Sequence, residues 1–337
     1  MKAYRVVSDA GLPDALKLED VAEPSPKPGE VVVDIKAVSL NARDLAITKG
    51  GYPRNMTRPI TPVSDGAGVV AAVGEGVTQW QVGDKVMPCF FKGFPGGPYE
   101  EAKVADALGG GVDGVLAEKI AQSADAVVRI PSGYSFEQAA TLPCAGVTAW
   151  HALQAANVKA GDTVLLLGTG GVSIFGLQLA KAAGCRTIIT SSSDDKLDHA
   201  RRLGADVTIN YQQHPKWSEQ VREATGDVGV DCVIEVGGNG TLPQSLASTR
   251  VGGTVSLIGL LSGGDPPNIF GAALNGQTIK GIYVGSADHL RDLVAALEAG
   301  KIEPVIDKTF DFAEAPKAYE HLASQEHLGK IVVKVAD

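Results

Sequence analysis

The residues best placed to do chemistry are Gly168-Thr169-Gly170-Gly171. A short apolar run, Val164 to Leu167, stops at these glycines. Val172, Ile174, Phe175, Leu177 and Leu179 then follow at helical spacing. The pattern predicts a strand, a tight glycine turn and a helix from about Ser173 to Ala183. The first N–H groups of such a helix lack internal partners, and its dipole is positive there. A pyrophosphate suits that end, so Gly170, Gly171, Val172 and Ser173 are candidate dinucleotide-binding residues. Ser173 stands where the G-x-G-x-x-G form has its third glycine. Serine is small enough for close helix–strand packing, and its hydroxyl is a further candidate phosphate contact.

The next strand, Thr187 to Thr190, bears on which dinucleotide is held. A fold that prefers NAD usually ends this strand with a carboxylate for the ribose hydroxyls. In this chain Ser191-Ser192-Ser193 follows instead. Ser191 and Ser192 can donate to a 2′-phosphate, and Lys196 brings a positive charge one turn on. Each charge-assisted bond is worth roughly 1.5–3 kcal/mol, so NADPH is expected ahead of NADH. Two features oppose this. Asp194 and Asp195 stand near enough to weaken a phosphate site, and the serines would equally cap a helix starting near Lys196.

Positioning these groups takes more than one core. The chain has 337 residues, beyond the roughly 250–300 at which a single core stops growing. With 44% apolar and 20% charged residues it reads as globular, and its 41 glycines show no period. A balance of 30 basic against 39 acidic residues, net −9, argues against a nucleic-acid partner. The start, Met1-Lys-Ala-Tyr-Arg-Val-Val, reads as a strand and not as a secretion signal. The stretch from Val164 to Ala180 is uncharged, but its glycines and polar residues argue against a membrane span. Cys89, Cys144, Cys185 and Cys232 show no paired spacing, so a reducing, cytoplasmic location is expected.

The first third reads as β-rich, with strands at Val31–Val38, Gly66–Gly74 and Asp84–Pro88. The glycine-rich stretch 92–114 reads as a long surface loop. From about Gly161 strands alternate with helices: Thr163–Leu167, Thr187–Thr190, Val207–Asn210, Val230–Val236 and Val255–Gly259 are the strands. That order implies a parallel sheet covered on both faces. The tail holds one helix and the strand Gly329-Lys-Ile-Val-Val-Lys-Val, which completes a β-rich domain better than it extends the parallel sheet.

Six motifs in this order resemble the medium-chain dehydrogenase/reductase superfamily: Ser39–Asp44, Pro62–Gly68, Val82–Val86, Cys144–Trp150, Gly168–Val172 and Gly204–Asp206. Within it the chain most resembles the zinc-independent quinone oxidoreductase-like and NAD(P)-dependent alcohol dehydrogenase members. The resemblance implies an α/β fold with a Rossmann dinucleotide-binding domain inserted in a β-rich GroES-like catalytic domain. The expected boundaries are 1–144 for the catalytic domain, 145–284 for the nucleotide domain and 285–337 for the return. It also implies cofactor contacts at Thr148, Tyr211, Val236, Leu260 and Val284, and a homodimer formed through a strand such as Thr278–Val284.

Zinc-dependent relatives hold the metal with two cysteines and a histidine. The corresponding positions are Asn41, Ser64 and Cys144, and only the last could be a thiolate, so no metal is expected. Asn41, Asp44, Ser64 and Asp65 would face the nicotinamide by resemblance. Asn41, Tyr52 and Asp65 are the candidate catalytic residues, with Asn41 as an oxyanion-type donor and Tyr52 as a proton donor. Asp44 reads as structural, and His151, for which no partner is evident, reads as a packing residue. The implied activity is NADPH-dependent reduction of quinones or activated carbonyl and enone compounds, the acceptor being a small molecule. Alcohol oxidation is harder without a metal to lower the alcohol's pKa. An enoyl-thioester reductase would need a basic carrier surface, and none is evident. A non-catalytic NADPH-binding sensor is the alternative from another class.

Overall fold

A computed structural model defines residues 1–51, 58–259 and 261–336 of the protein. The chain parts into two compact units, residues 1–147 with 285–337, and residues 148–284. The first break thus falls at Val147/Thr148, beside the 144/145 of the sequence reading.

The first unit opens with an antiparallel pair, β1 (Lys2–Val6) and β2 (Leu16–Asp20). The run of β-branched residues from Val31 forms β3 (Glu30–Leu40), followed by β4 (Asp65–Val73), β5 (Lys85–Pro88), β6 (Lys119–Ser123) and β7 (Val127–Arg129). Strand β3 pairs antiparallel with both β4 and β6. Val31, Val33, Ile35 and Val38 are buried in the unit's core with Val70, Val86 and Leu116. Helix α1 (Ala42–Thr48) starts immediately after β3, with Asn41 as its N-cap.

The stretch 92–114 is a surface excursion over most of residues 93–106, as its glycines suggested, but it is anchored at points along its length. Phe94 and Leu108 are buried, and α2 (Glu101–Val104) lies within it. A Cβ on Gly114 would stand 2.0 Å from the Val63 carbonyl oxygen, and one on Gly109 2.6 Å from the Val63 nitrogen. Gly109 and Gly114 thus serve close backbone packing. Val63 itself has φ +73°, an uncommon conformation for a β-branched residue, directly before Ser64 and Asp65. Helices α3 (Phe136–Ala140) and α4 (Val147–Ala155) lead into the second unit.

That unit is built from βα repeats. Strands β8 (Thr163–Leu166), β9 (Arg186–Ser191), β10 (Val207–Asn210), β11 (Val230–Glu235), β12 (Thr249–Leu257) and β13 (Thr278–Gly281) form one sheet. Between them run α5 (Gly171–Ala182), α6 (Asp194–Arg202), α7 (Trp217–Ala224), α8 (Leu242–Ser248) and α9 (Phe270–Leu274). Every pairing is parallel, in the order β10-β9-β8-β11-β12-β13. This is the 3-2-1-4-5-6 arrangement of dinucleotide-binding sheets, with its reversal between β8 and β11. Ligands of such sheets sit beyond the strand C-termini at that reversal. Leu165, Ile188, Val233 and Val255 fill the core.

The chain then returns to the first unit through α10 (Ala287–Gly300), β14 (Ile306–Asp311), α11 (Ala315–Ser324) and β15 (Lys330–Lys334). Strand β15 pairs antiparallel with β3, Ile331 facing Leu40 and Val332 facing Ser39. The tail therefore completes the β-rich sheet, as its apolar run suggested. The fold is the α/β arrangement expected, a Rossmann unit inserted in a GroES-like one. No helix among the described residues is long and apolar enough to cross a membrane.

Candidate active site

In the first unit the β3–α1 junction gathers a buried polar cluster. Asp44 and Asn41 form a capping box in which the Asn41 N–H donates to Asp44 Oδ2 at 2.8 Å. Asp44 is thus a backbone anchor, as its position suggested. Burial lifts its carboxyl to about 6, although the Arg43 guanidinium opposes the shift. Arg43 lies 4.6 Å over the Phe90 ring and donates to the Leu108 carbonyl at 2.8 Å.

Asp65 begins β4 and is fully buried beside Ser64, whose hydroxyl donates to its Oδ1 at 2.8 Å. Burial also raises the Asp65 carboxyl, and the charge of Lys330 is the main opposing influence. Lys330 Nζ stands 3.6 Å from Asp65 Oδ2. It donates to Asn41 Oδ1 at 2.6 Å and to the Leu40 carbonyl at 2.7 Å. The Asn41 amide nitrogen is buried and makes no well-aligned hydrogen bond among the described residues, though it helps hold the Asp65 charge. Cys144 lies in the π-helical turn Leu142–Gly146, and burial pushes its thiol far up.

Lys330 escaped the sequence reading. The signal was a lysine opening an otherwise apolar strand, but such a residue more often marks an exposed strand end. Asn41 and Asp65 are brought together by the structure. Tyr52 lies outside the described residues, as does Leu260.

The second unit holds the glycine turn. Gly168 has φ +70°, and its N–H donates to Thr190 Oγ1 at 3.2 Å. A Cβ on Gly168 or Gly170 would meet nothing within 4 Å, so the space over the turn is open. Gly170 caps α5 without a side-chain bond, which leaves the N–H groups of the Gly171, Val172 and Ser173 turn uncapped by any side chain. These residues fit a dinucleotide pyrophosphate. The Ser173 hydroxyl, however, donates to the Leu167 carbonyl at 2.6 Å and is buried, so its proton serves the turn and not a phosphate. The close helix–strand approach falls at Gly176, where a Cβ would lie 2.7 Å from Leu166 Cδ2 and 2.8 Å from Ile234 Cδ1.

Ser193 caps α6, accepting the Lys196 N–H at 3.4 Å. Ser191 and Ser192 are therefore not needed as caps. Ser191 ends β9, 3.4 Å from the Thr169 hydroxyl, while Ser192 is exposed. The Tyr211 N–H donates to the Ser191 carbonyl at 3.0 Å, which brings the backbone after β10 beside the end of β9, while Lys196 lies in the first turn of α6.

At the other side of the sheet Val236 follows β11, and its carbonyl would lie 2.1 Å from a Cβ on Gly259. The turn beyond β11 is pinned by Glu235, a residue the sequence reading missed. Its carboxylate is fully buried and accepts from Gly237 N–H at 2.7 Å, Gly238 N–H at 3.0 Å and Thr241 Oγ at 2.6 Å, and also from Ser245. An acidic residue closing an apolar strand before Gly-Gly was the available signal. Thr148 is buried in the first turn of α4. Val284 has φ +54°, and its carbonyl lies 2.7 Å from His151 Nδ1. His151 thus has a partner after all. Burial holds its pKa down, so the neutral ring donates from Nδ1 to that carbonyl.

The chain matches the zinc-binding dehydrogenase family over residues 171–299 and the alcohol dehydrogenase GroES-like domain over residues 27–132. It is 47% identical over 331 residues to a zinc-type alcohol dehydrogenase-like protein of Schizosaccharomyces pombe, covering 96% of each chain. It is 31% identical to an acryloyl-coenzyme A reductase of Metallosphaera sedula, over 94% of this chain and 96% of that one. Among solved structures, an NAD-dependent alcohol dehydrogenase superposes with a TM-score of 0.90 at 32% identity, over 100% of both chains. The quinone oxidoreductase of Pseudomonas syringae pv. tomato gives 0.84 at 29% identity, over 99% of both. The chain belongs to the medium-chain dehydrogenase/reductase superfamily and is an NAD(P)H-dependent oxidoreductase of that family.

Proposed function

We propose that the protein is a zinc-independent, NADPH-dependent reductase of quinones or of activated carbonyl and enone compounds. The Asn41 amide carries this reading. Its oxygen accepts from Lys330, and of its two N–H donors one bears on the Asp65 carboxyl, which leaves the other to donate to an acceptor oxygen as negative charge develops there. NADPH supplies the hydride when bound; the chain's own residues hold and polarise the acceptor. A quinone oxidoreductase and an acryloyl-coenzyme A reductase among its relatives both act on conjugated acceptors by their names, which supports the same class.

The donor set suits zinc poorly. At the three ligand positions stand an amide whose oxygen already accepts from an ammonium, a hydroxyl that donates to Asp65, and a single thiol. A catalytic zinc takes three protein ligands from cysteine thiolates, histidines or carboxylates around an open position, and of the three residues only the cysteine is of that kind. For the cofactor, Ser191, Ser192, Lys196 and Tyr211 support NADPH over NADH, because no carboxylate ends β9.

A homodimer is proposed through β13. It is the edge of the sheet, and Ile269, Phe270 and Leu274 beside it are exposed. A light-scattering mass of one chain would refute the dimer. The cysteines are free, which supports a reducing compartment such as the cytoplasm. The reductase reading is tested by Asn41→Ala. Turnover of NADPH with a 2-enone should fall by more than about threefold, and a smaller fall overturns the oxyanion role.

A further inference from the structure

Lys330 is a charge that the fold has buried, 3% exposed at the head of a strand whose next three residues are core. Lysine is rarely buried so deeply without partners. Its ammonium reaches three oxygens: the Leu40 carbonyl, Asn41 Oδ1 and, at longer range, Asp65 Oδ2. An ammonium has donors and no acceptor, so only the oxygen end of the Asn41 amide can face it. Lys330 therefore fixes which way that amide points: the Nδ2 end turns away from it, one N–H bearing on the Asp65 carboxyl and the other left for an acceptor. A cation against the amide oxygen also draws density from the nitrogen and strengthens its N–H as a donor.

We propose that Lys330 is a positioning residue for the hydride acceptor. It locks the Asn41 amide with Nδ2 turned from the ammonium and polarises it toward an acceptor that presents a neutral sp2 oxygen. This rests on the reductase reading given above. Lys330 does not touch the acceptor, because its own protons are directed to the Leu40, Asn41 and Asp65 oxygens. Its charge acts through Asn41.

The test is the carbonyl stretch of a 2-enone bound to the NADP+-loaded protein, read by difference infrared spectroscopy in wild type, Lys330→Met and Lys330→Gln. The frequency should be lowest in the wild type and rise in both variants. NADPH turnover with the same enone should fall about tenfold while the NADPH Kd changes less than about twofold. Lys330→Gln keeps a polar side chain and serves if the Met variant does not fold. Lys330→Arg, which retains the charge, should restore most of the band shift. A folded Lys330→Gln with the wild-type band and turnover overturns the proposal. If Asn41→Ala abolishes the shift but Lys330→Gln does not, the reductase reading stands and this inference alone fails. If Asn41→Ala changes neither band nor turnover, both fail.

Discussion

The Asn210 side-chain amide donates to Asp194 at 2.7 Å, and Gln213 adds a bond of 2.9 Å to the other carboxylate oxygen. The acidic residue nearest the serine run is thereby tethered toward β10, which, on the proposed NADPH reading, lessens its repulsion of a 2′-phosphate at Ser191, Ser192 and Lys196. Replacing both tethers, Asn210→Ala with Gln213→Ala, frees the carboxylate. The ratio of NADH to NADPH dissociation constants should drop about tenfold, the worth of one charge-assisted bond. An unchanged ratio in parallel titrations means Asp194 has no influence on that site.

Gly176 sets how closely α5 lies on the sheet. Its missing Cβ leaves room for Leu166 and Ile234, both fully buried. Gly176→Val overpacks this contact and should destabilise the protein by about 1–3 kcal/mol. Urea unfolding reads this as a lower midpoint at constant slope. A variant of wild-type stability would show that the helix has slack there.

Asp44 makes stability depend on pH in an unusual sense. Its carboxyl, about 6 in the fold against 3.8 when free, binds a proton more readily folded than unfolded. The stabilising contribution is complete below about pH 4 and is lost as pH rises through 6. Asp44→Asn keeps an acceptor for the Asn41 N–H and removes the buried charge. Relative to wild type it should be more stable at pH 8, by up to about 3 kcal/mol, and the gap should close toward pH 4. A gap independent of pH contradicts the assignment.

His151 holds the carbonyl of Val284, whose φ lies in the left-handed region. His151→Leu leaves that carbonyl unpaired and should cost about 1–3 kcal/mol in urea unfolding. It should also weaken nicotinamide binding if Val284 contacts the cofactor. Unchanged stability would show that the bond contributes nothing to holding Val284.

The sequence disclosed more of the nucleotide unit than of the catalytic one. Gly168 to Leu179 shows its period locally, so strand, turn and helix were legible. The run 92–114 was legible as a surface excursion but its anchors were not, because glycine signals both turns and close backbone approach, and only the neighbouring Val63 shows that Gly109 and Gly114 serve the second. Ser173 was legible as part of the glycine turn, but not that its hydroxyl goes to the Leu167 carbonyl rather than outward, since that bond depends on the turn's geometry. Lys330 and Asn41 are 289 residues apart, and no local pattern announces a pairing that β15 makes by lying against β3. Glu235 was hidden because its four donors assemble only when the turn after β11 folds back on α8.

The central claim is tested most directly by following NADPH and NADH oxidation in parallel with a quinone, a 2-enone and an aldehyde, with a zinc chelator present throughout. The account predicts NADPH consumption with the quinone or the enone, faster than with NADH and undiminished by the chelator. Activity confined to alcohols and aldehydes and abolished by the chelator would contradict it.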